Sequence, residues 1–241
     1  MNISQQASAN LAALKVNAYP GRLVVAGLHA SGEYLVQGCG MTGRSKPSRN
    51  RRYVALGGVV RPELVVPDPN FDPLTIYTAM GEWADYYVAT NGAQTDTAIE
   101  YLRQGDSFDA AMEQRTFEPD KISTPRISAL CGLRLAPHAH LSLIRKDPKT
   151  GAPRRTYYTY VGANLPPGVG WCLQTYQHDG DPPPSFEGPP YPLPLEGPME
   201  ALADDLWDAL DKDNRVGLAL KFIEIKSGKS SVTLRNKHDG D

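Results

Sequence analysis

The chain has little cysteine, no excess charge of either sign and no long apolar run, and each shortage excludes something. Its 241 residues contain three cysteines, Cys39, Cys131 and Cys172, too few and too scattered for a disulfide framework or a zinc knuckle. They are expected as free thiols in a reducing cytoplasm. The 25 Lys and Arg residues are offset by 27 Asp and Glu, so the basic excess of a general nucleic-acid or membrane-surface binder is missing. No apolar stretch approaches the roughly 20 residues that a spanning helix needs. The segment from Met1 to Asn17 lacks the basic start and apolar core of a secretory leader. A cytoplasmic protein with no nucleic-acid or membrane partner is the expectation.

Familiar catalytic and metal signatures are also missing. There is no Gly-x-Ser-x-Gly elbow, no Cys–His nucleophile pattern and no phosphate loop with its lysine. His138 and His140 alternate on an expected strand and share a face, but no third ligand accompanies them. His178-Asp179-Gly180-Asp181 lacks the spacing of a calcium loop. No metal site is expected.

What is present is a 41% apolar chain, enough for a real core, cut into many short segments. Residues 1–17 read as a helical or frayed lead-in. Leu23–Gly27 and Tyr34–Gln37, around the Ser31-Gly32 turn, read as a hairpin. Residues 43–52 read as a polar, Arg-rich loop. Strands are then predicted at 53–56, 63–66, 74–80 and 83–90. Helices follow at Asp96–Gln104, with Thr95 or Asp96 as N-cap, and at Ser107–Gln114. Further strands fall at 127–135, 141–145, 156–163 and 171–176, with 146–151 as a hairpin loop. Residues 179–198 are rich in Pro, Gly and Asp and read as an ordered loop or lid. Met199–Leu210 is an amphipathic helix with Leu202, Leu206 and Leu210 on one stripe, and 216–225 with 231–235 close the chain as a hairpin. Many hairpins with separate helices mean α+β, and so many strands suit two stacked antiparallel sheets with helices outside. The organisation expected is an N-terminal extension over 1–18 and a single domain over 19–241.

Polar motifs sit where this pattern breaks. Arg44 and Arg49 share a loop with Ser45, Lys46 and Ser48, a combination suited to phosphate or an oxyanion, and equally a solvated basic loop. Asn91-Gly92-Ala93-Gln94-Thr95-Asp96 joins a strand to a helix, where free N–H groups favour phosphate, though an ordinary capped turn reads the same way. Glu118 lies between Phe117 and Pro119, so its carboxyl can be desolvated and its pKa raised into the range for proton transfer; a solvated acid at a helix end is the plainer account. Thr124-Pro125-Arg126 opens a strand whose arginine can reach the same pocket or pair at the surface. Tyr77 falls on a strand that reads as buried, facing either a pocket or the core.

Taken together and in order, these motifs resemble the archaeal-type IMP cyclohydrolases and their bacterial relatives. The resemblance runs from about Tyr19 to Ile225 and rests most on Asn-Gly-x-x-Thr-Asp at 91–96 and on Glu118-Pro119-Asp120 with Thr124-Pro125-Arg126-Ile127. Tyr19-Pro20-Gly21-Arg22 and the Arg44 to Arg49 loop support it. Where archaeal members read Ser-Arg-Ser and Asn-Gly-Ser-His, this chain has Gly43-Arg44-Ser45 and Asn91-Gly92-Ala93-Gln94. The family resemblance implies an αββα sandwich like that of the N-terminal-nucleophile hydrolases, with the pocket between the sheets. It implies closure of 5-formamidoimidazole-4-carboxamide ribotide to IMP with loss of water, using no metal or organic cofactor. It places the catalytic residues on Glu118 and Arg49. Arg44, Asn91, Thr95, Asp96, Thr124 and Arg126, with Arg22 and Tyr77, are assigned to the substrate, a purine ribotide. A homologue acting on a related ribotide, and a non-catalytic purine-nucleotide-binding module, are the alternatives; a homo-oligomer is possible.

Overall fold

A computed structural model describes residues 2–239. In chain order the elements are α1 (Ile3–Lys15), β1 (Arg22–Leu28), β2 (Tyr34–Thr42), the one-turn α2 (Lys46–Arg49), β3 (Arg51–Leu56), β4 (Val59–Leu64), a 3-10 turn at Pro73–Thr75, β5 (Met80–Trp83) and β6 (Tyr86–Thr90). Then come α3 (Gln94–Gln104), α4 (Phe108–Glu113), β7 (Arg126–Gly132), β8 (His138–Lys146), β9 (Pro153–Val161), a second 3-10 turn at Gly162–Asn164 and β10 (Val169–Gln174). The chain ends with β11 (Tyr191–Pro194), α5 (Met199–Asp208), β12 (Arg215–Glu224) and β13 (Ser230–Asn236).

The strands form two antiparallel sheets, ordered β11-β10-β1-β2-β12-β13 and β3-β4-β5-β6-β7-β8-β9. Strand alternation distributes each sheet's side chains to two cores. On β1, Val24 and Ala26 point between the sheets, while Leu23 and Val25 point outward to a layer holding Leu14, Leu202 and Leu206. On β7, Ile127, Ala129 and Cys131 face the inter-sheet core, and Leu130 faces Ala98, Phe108 and Met112 of α3 and α4. Both faces of the central strands are therefore covered, which explains why they read as continuous apolar runs. The result is the four-layer α+β sandwich, αββα, that the sequence and its resemblance imply.

The sheets are also joined at their margins. The Asn236 side chain pairs with both main-chain groups of Tyr53, accepting from its N–H at 2.7 Å and donating to its C=O at 3.0 Å. This ties the edge strand of one sheet to the edge strand of the other and covers groups that would otherwise template aggregation. Near the opposite margins, Tyr160 stacks on Trp171 with ring centroids 4.2 Å apart.

The lead-in is helical, one of its two readings: α1 carries an Asn2–Gln5 capping box and is seated on β11. Several local expectations are corrected. The polar loop 43–52 contains α2, capped by Ser45, and β3 begins at Arg51. The stretch 74–80 is not a strand: Pro73 and Asp72 start a 3-10 turn, and only Met80 joins the sheet. Residues 83–90 are broken at Ala84, whose φ of 50° turns the β5–β6 hairpin. The fourth strand runs over 59–64 rather than 63–66. Helix α3 starts after Ala93 without a side-chain cap, so Thr95 and Asp96 lie inside its first turn. Within the Pro-rich segment, residues 191–194 pair with β10 as an edge strand, the position at which proline is tolerated.

Candidate active site

A cavity of about 180 Å³ lies between the ends of the two sheets. Strand β1 brings Arg22 from one sheet and β3 brings Arg51 from the other. The end of β6 supplies Asn91, and the turn after β10 supplies Thr175 and Tyr176. The loop between α4 and β7 supplies Glu118, Asp120 and Thr124, and Tyr77 comes from the approach to β5. Larger surface grooves lie elsewhere, among them two of about 800 and 780 Å³, between α1 and the Pro-rich segment and beside α2. Each of these two carries a single acid, Asp179 in the first, which is exposed, and Asp68 in the second.

The Glu118 loop is held at both ends. The Glu118 N–H donates to Thr124 O at 2.9 Å, and the Thr124 N–H donates to Asp120 Oδ1 at 2.8 Å. The Thr124 hydroxyl bridges Asp120 and, at 2.7 Å, the Tyr176 hydroxyl. Tyr176 stacks on Tyr19 with centroids 5.6 Å apart, giving the cavity a flat aromatic wall. Thus a short turn of polar residues is fixed against one sheet while its glutamate faces the other.

Glu118 is 13% exposed at its side chain, and its Oε1 lies 3.6 Å from Arg126 Nη1. Burial raises its pKa to about 7, although Arg126 and Arg22 pull the other way and Asp120 adds to the rise. Desolvation therefore outweighs the attraction of the guanidiniums. A carboxyl in this state exchanges its proton close to neutral pH, in either direction.

Two guanidiniums face it without carboxylate partners. Arg22 donates to Thr42 O at 2.7 Å, and Arg51 donates to Ser48 O at 3.1 Å and Thr75 O at 3.4 Å. Among the described residues neither forms an ion pair with an acid, and Arg51 is only 1% exposed. Burial, and then the charge of Arg22, push the pKa of Arg51 down to about 10, so it remains charged at neutral pH. Two adjacent cations short of counter-charge, Arg51 buried and Arg22 half-buried, favour an anionic ligand. Among the described residues the Tyr77 hydroxyl is buried with no hydrogen-bond partner, and it lines the same cavity. It offers one donor to whatever enters.

Of the residues singled out in the sequence, Glu118, Arg22, Tyr77, Asn91 and Thr124 line this cavity, and Arg126 stands behind Glu118. Asn91 spends its amide on the fold, accepting from the Ile127 N–H at 2.9 Å and donating to Pro125 O at 2.9 Å. Four others are placed elsewhere. The guanidinium of Arg49 donates to Gly43 O at 2.9 Å and Asn214 Oδ1 at 2.8 Å, and the residue borders the groove beside α2. Arg44 lies over the outer face of Tyr19 at 4.5 Å and pairs with Asp179 at 2.6 Å. Thr95 is buried against Thr90, with hydroxyls 2.8 Å apart, and Asp96 opens to a surface depression on the far side of α3. Arg44 and Arg49 are drawn off by partners distant in sequence, Asp179 and Asn214, while Thr95 and Asp96 sit on the first turn of α3, outside the cavity lining.

Sequence reasoning did not single out Arg51, Asp120, Thr175 or Tyr176. For Arg51 a signal existed. On a strand beginning at 51, the period of two places Arg51 on the same inward face as Tyr53, with Arg52 outside.

Residues 19–228 match the family model described as IMP cyclohydrolase-like protein. The chain belongs to this family. A curated relative named IMP cyclohydrolase, from Methanothrix thermoacetophila, is 28% identical over 180 residues, covering 70% of this chain and 80% of the relative. Every residue lining the cavity between the sheets falls inside the span matched by the IMP cyclohydrolase-like family, whereas α1 precedes it. Among the described residues no group of His, Cys, Asp or Glu could hold a metal, and no helix is long and apolar enough to cross a membrane.

Proposed function

We propose that this chain is an IMP cyclohydrolase, closing 5-formamidoimidazole-4-carboxamide ribotide to IMP with release of water. The observation that carries the reading is Glu118: a buried carboxyl whose pKa is raised by burial to about 7, facing two guanidiniums that lack acid partners. The alternative of a passive nucleotide-binding module gives no use to a desolvated acid poised at neutral pH, which costs stability in the folded state.

The chemistry follows from the substrate. The carboxamide nitrogen is a weak nucleophile and loses a proton as it bonds to the formyl carbon; ionised Glu118 accepts that proton. Negative charge builds on the formyl oxygen, where a guanidinium stabilises it more than in the ground state. Glu118, now protonated, returns that proton to the oxyanion to give a carbinolamine; its hydroxyl then leaves as water with a second proton, the one on the former formamide nitrogen, relayed by Glu118 as the ring C=N bond forms. Reacting groups belong to one molecule, and a cavity that folds them together supplies much of the remaining acceleration. Arg51 and Arg22 are the cations that reach the cavity. Arg49, on which the resemblance places the catalytic arginine, enters only if the 43–50 turn gives up its bonds to Gly43 and Asn214. Arg44, at the rim over Tyr19, joins the substrate only by exchanging Asp179 for an anion. The buried free thiols Cys39, Cys131 and Cys172 suit a cytoplasmic site of action.

The test is direct. The purified protein is mixed with the ribotide, and IMP formation is followed against the uncatalysed background. Turnover supports the reading; IMP binding without turnover supports the binding module instead.

A further inference from the structure

Gln94, the first residue of α3, is wholly buried. Its Nε2 donates to Asn91 Oδ1 at 2.8 Å and to Ile127 O at 3.2 Å, while its Oε1 accepts from Arg126 Nη1 at 2.7 Å. These partners fix the amide, because a flipped group would set an N–H against a guanidinium N–H. Gly92 covers the junction. A Cβ there would fall 2.2 Å from Arg126 Nη1, 2.8 Å from Gln94 Oε1 and 3.0 Å from Glu118 Oε1. Two side-chain oxygens, one neutral and one acidic, therefore converge on a single guanidinium nitrogen. At 3.6 Å the Glu118 contact is too long for a direct hydrogen bond, so Arg126 acts on Glu118 mainly through its charge.

We propose that Gln94 is a positioning residue: by holding Arg126 with a neutral acceptor, it sets how strongly Arg126 favours the ionised form of Glu118, and hence the pH at which Glu118 takes the substrate proton. The inference rests on the reading of Glu118 as the proton-transfer group. Other groups face Glu118 as well: Arg22 from β1, Arg51 from β3, Asp120 from its own loop, and Asp72 with the phenols of Tyr19, Tyr77 and Tyr176 around the cavity. Arg22 and Arg51 are held by main-chain carbonyls, which substitution does not change. Arg126 is held by a side chain, so residue 94 is the place where sequence tunes the field.

Two substitutions of similar size push in opposite directions. Gln94→Glu puts a carboxylate on Arg126, cancels its charge and adds a like charge near Glu118, so the Glu118 titration moves to higher pH. Gln94→Met removes the competing acceptor, leaves Arg126 to Glu118, and moves the titration to lower pH. Displacements of about one pH unit are expected for charge changes at this range. The experiment is a pH titration of protein labelled with 13C at the glutamate carboxyl, the Glu118 resonance being identified by its loss in Glu118→Gln. It is paired with kcat/KM against pH for the ribotide, and thermal unfolding verifies that each variant is folded. Midpoints displaced in opposite senses, with the acid limb of kcat/KM following, are the expected result. Midpoints that stay put or move together overturn the proposal. Opposite displacements in a protein that never turns over the ribotide would sink the cyclohydrolase reading instead, and turnover with fixed midpoints would sink only the role of Gln94.

Discussion

Replacing Glu118 by glutamine is expected to make the protein more stable and inactive at the same time. Folding carries the carboxyl from an ordinary value of 4.5 to about 7. Below pH 4.5 the acid is protonated folded or unfolded, and its shift has no effect. Between the two values the unfolded chain releases the proton while the folded one keeps it, so stability falls as pH rises. Above pH 7 the loss is complete, and the interval corresponds to about 3 kcal/mol. Glutamine has the same shape and never ionises. Glu118→Gln should therefore raise stability by about 2–3 kcal/mol at pH 8, about 5–10 °C in Tm for a chain of this size, and by nothing measurable near pH 4.5. Its turnover should fall by about 10²-fold or more, because the proton acceptor is gone. Thermal unfolding of both proteins at the two pH values, with an IMP-formation assay at pH 8, covers every part. Lower stability of the variant at pH 8, or a gain independent of pH, would refute the argument that burial holds Glu118 against ionisation.

Other expectations concern the cations, the free hydroxyl and the glycine over Arg126. Arg51→Met should lower kcat by about 10²-fold, the usual cost of one donor to a developing negative charge. Arg49→Met should act mainly on stability, by about 1–2 kcal/mol for its two hydrogen bonds; a greater loss of kcat at Arg49 than at Arg51 would mean that the 43–50 turn rearranges around substrate. Tyr77→Phe removes a buried hydroxyl that has no partner among the described residues, so denaturant unfolding should show unchanged or slightly higher stability. The same variant should lose about tenfold in kcat/KM if the hydroxyl meets substrate, and full retention would place Tyr77 in the core alone. Gly92→Ala sets a methyl 2.2 Å from Arg126 Nη1 and should displace the Arg126–Glu118 pair, with at least a tenfold loss of kcat at modest cost in Tm; wild-type kinetics would contradict the packing described here.

Much of this protein was legible in its sequence. Apolar runs such as Leu23–Gly27 specify buried strands, because residues two apart share a face and both faces needed covering. The leucines at 202 and 206 mark the buried stripe of α5, and Leu210, just past the helix end, packs into the same layer. Glu118 between Phe117 and Pro119 could be named as a candidate acid, but its desolvation comes from the cavity between the sheets, since Pro119 itself is exposed. The family was recognisable from the order of the motifs. Turn-rich stretches were less legible: Leu74–Tyr77 carries β-forming residues, yet Asp72 and Pro73 start a 3-10 turn there, and local capping overrides propensity.

Tertiary structure alone decided which arginines meet Glu118. Arg49 and Arg51 are two residues apart and indistinguishable by type. One is drawn off by Asn214, 165 residues along the chain, and the other is carried inward by the pleat of β3. The same holds for Gln94, whose link to Arg126 spans 32 residues of sequence and exists only because β6 and β7 lie side by side. Residue types and local spacing are written in the chain; the distance between charges, and hence the pKa that makes a glutamate useful, comes from which strands become neighbours.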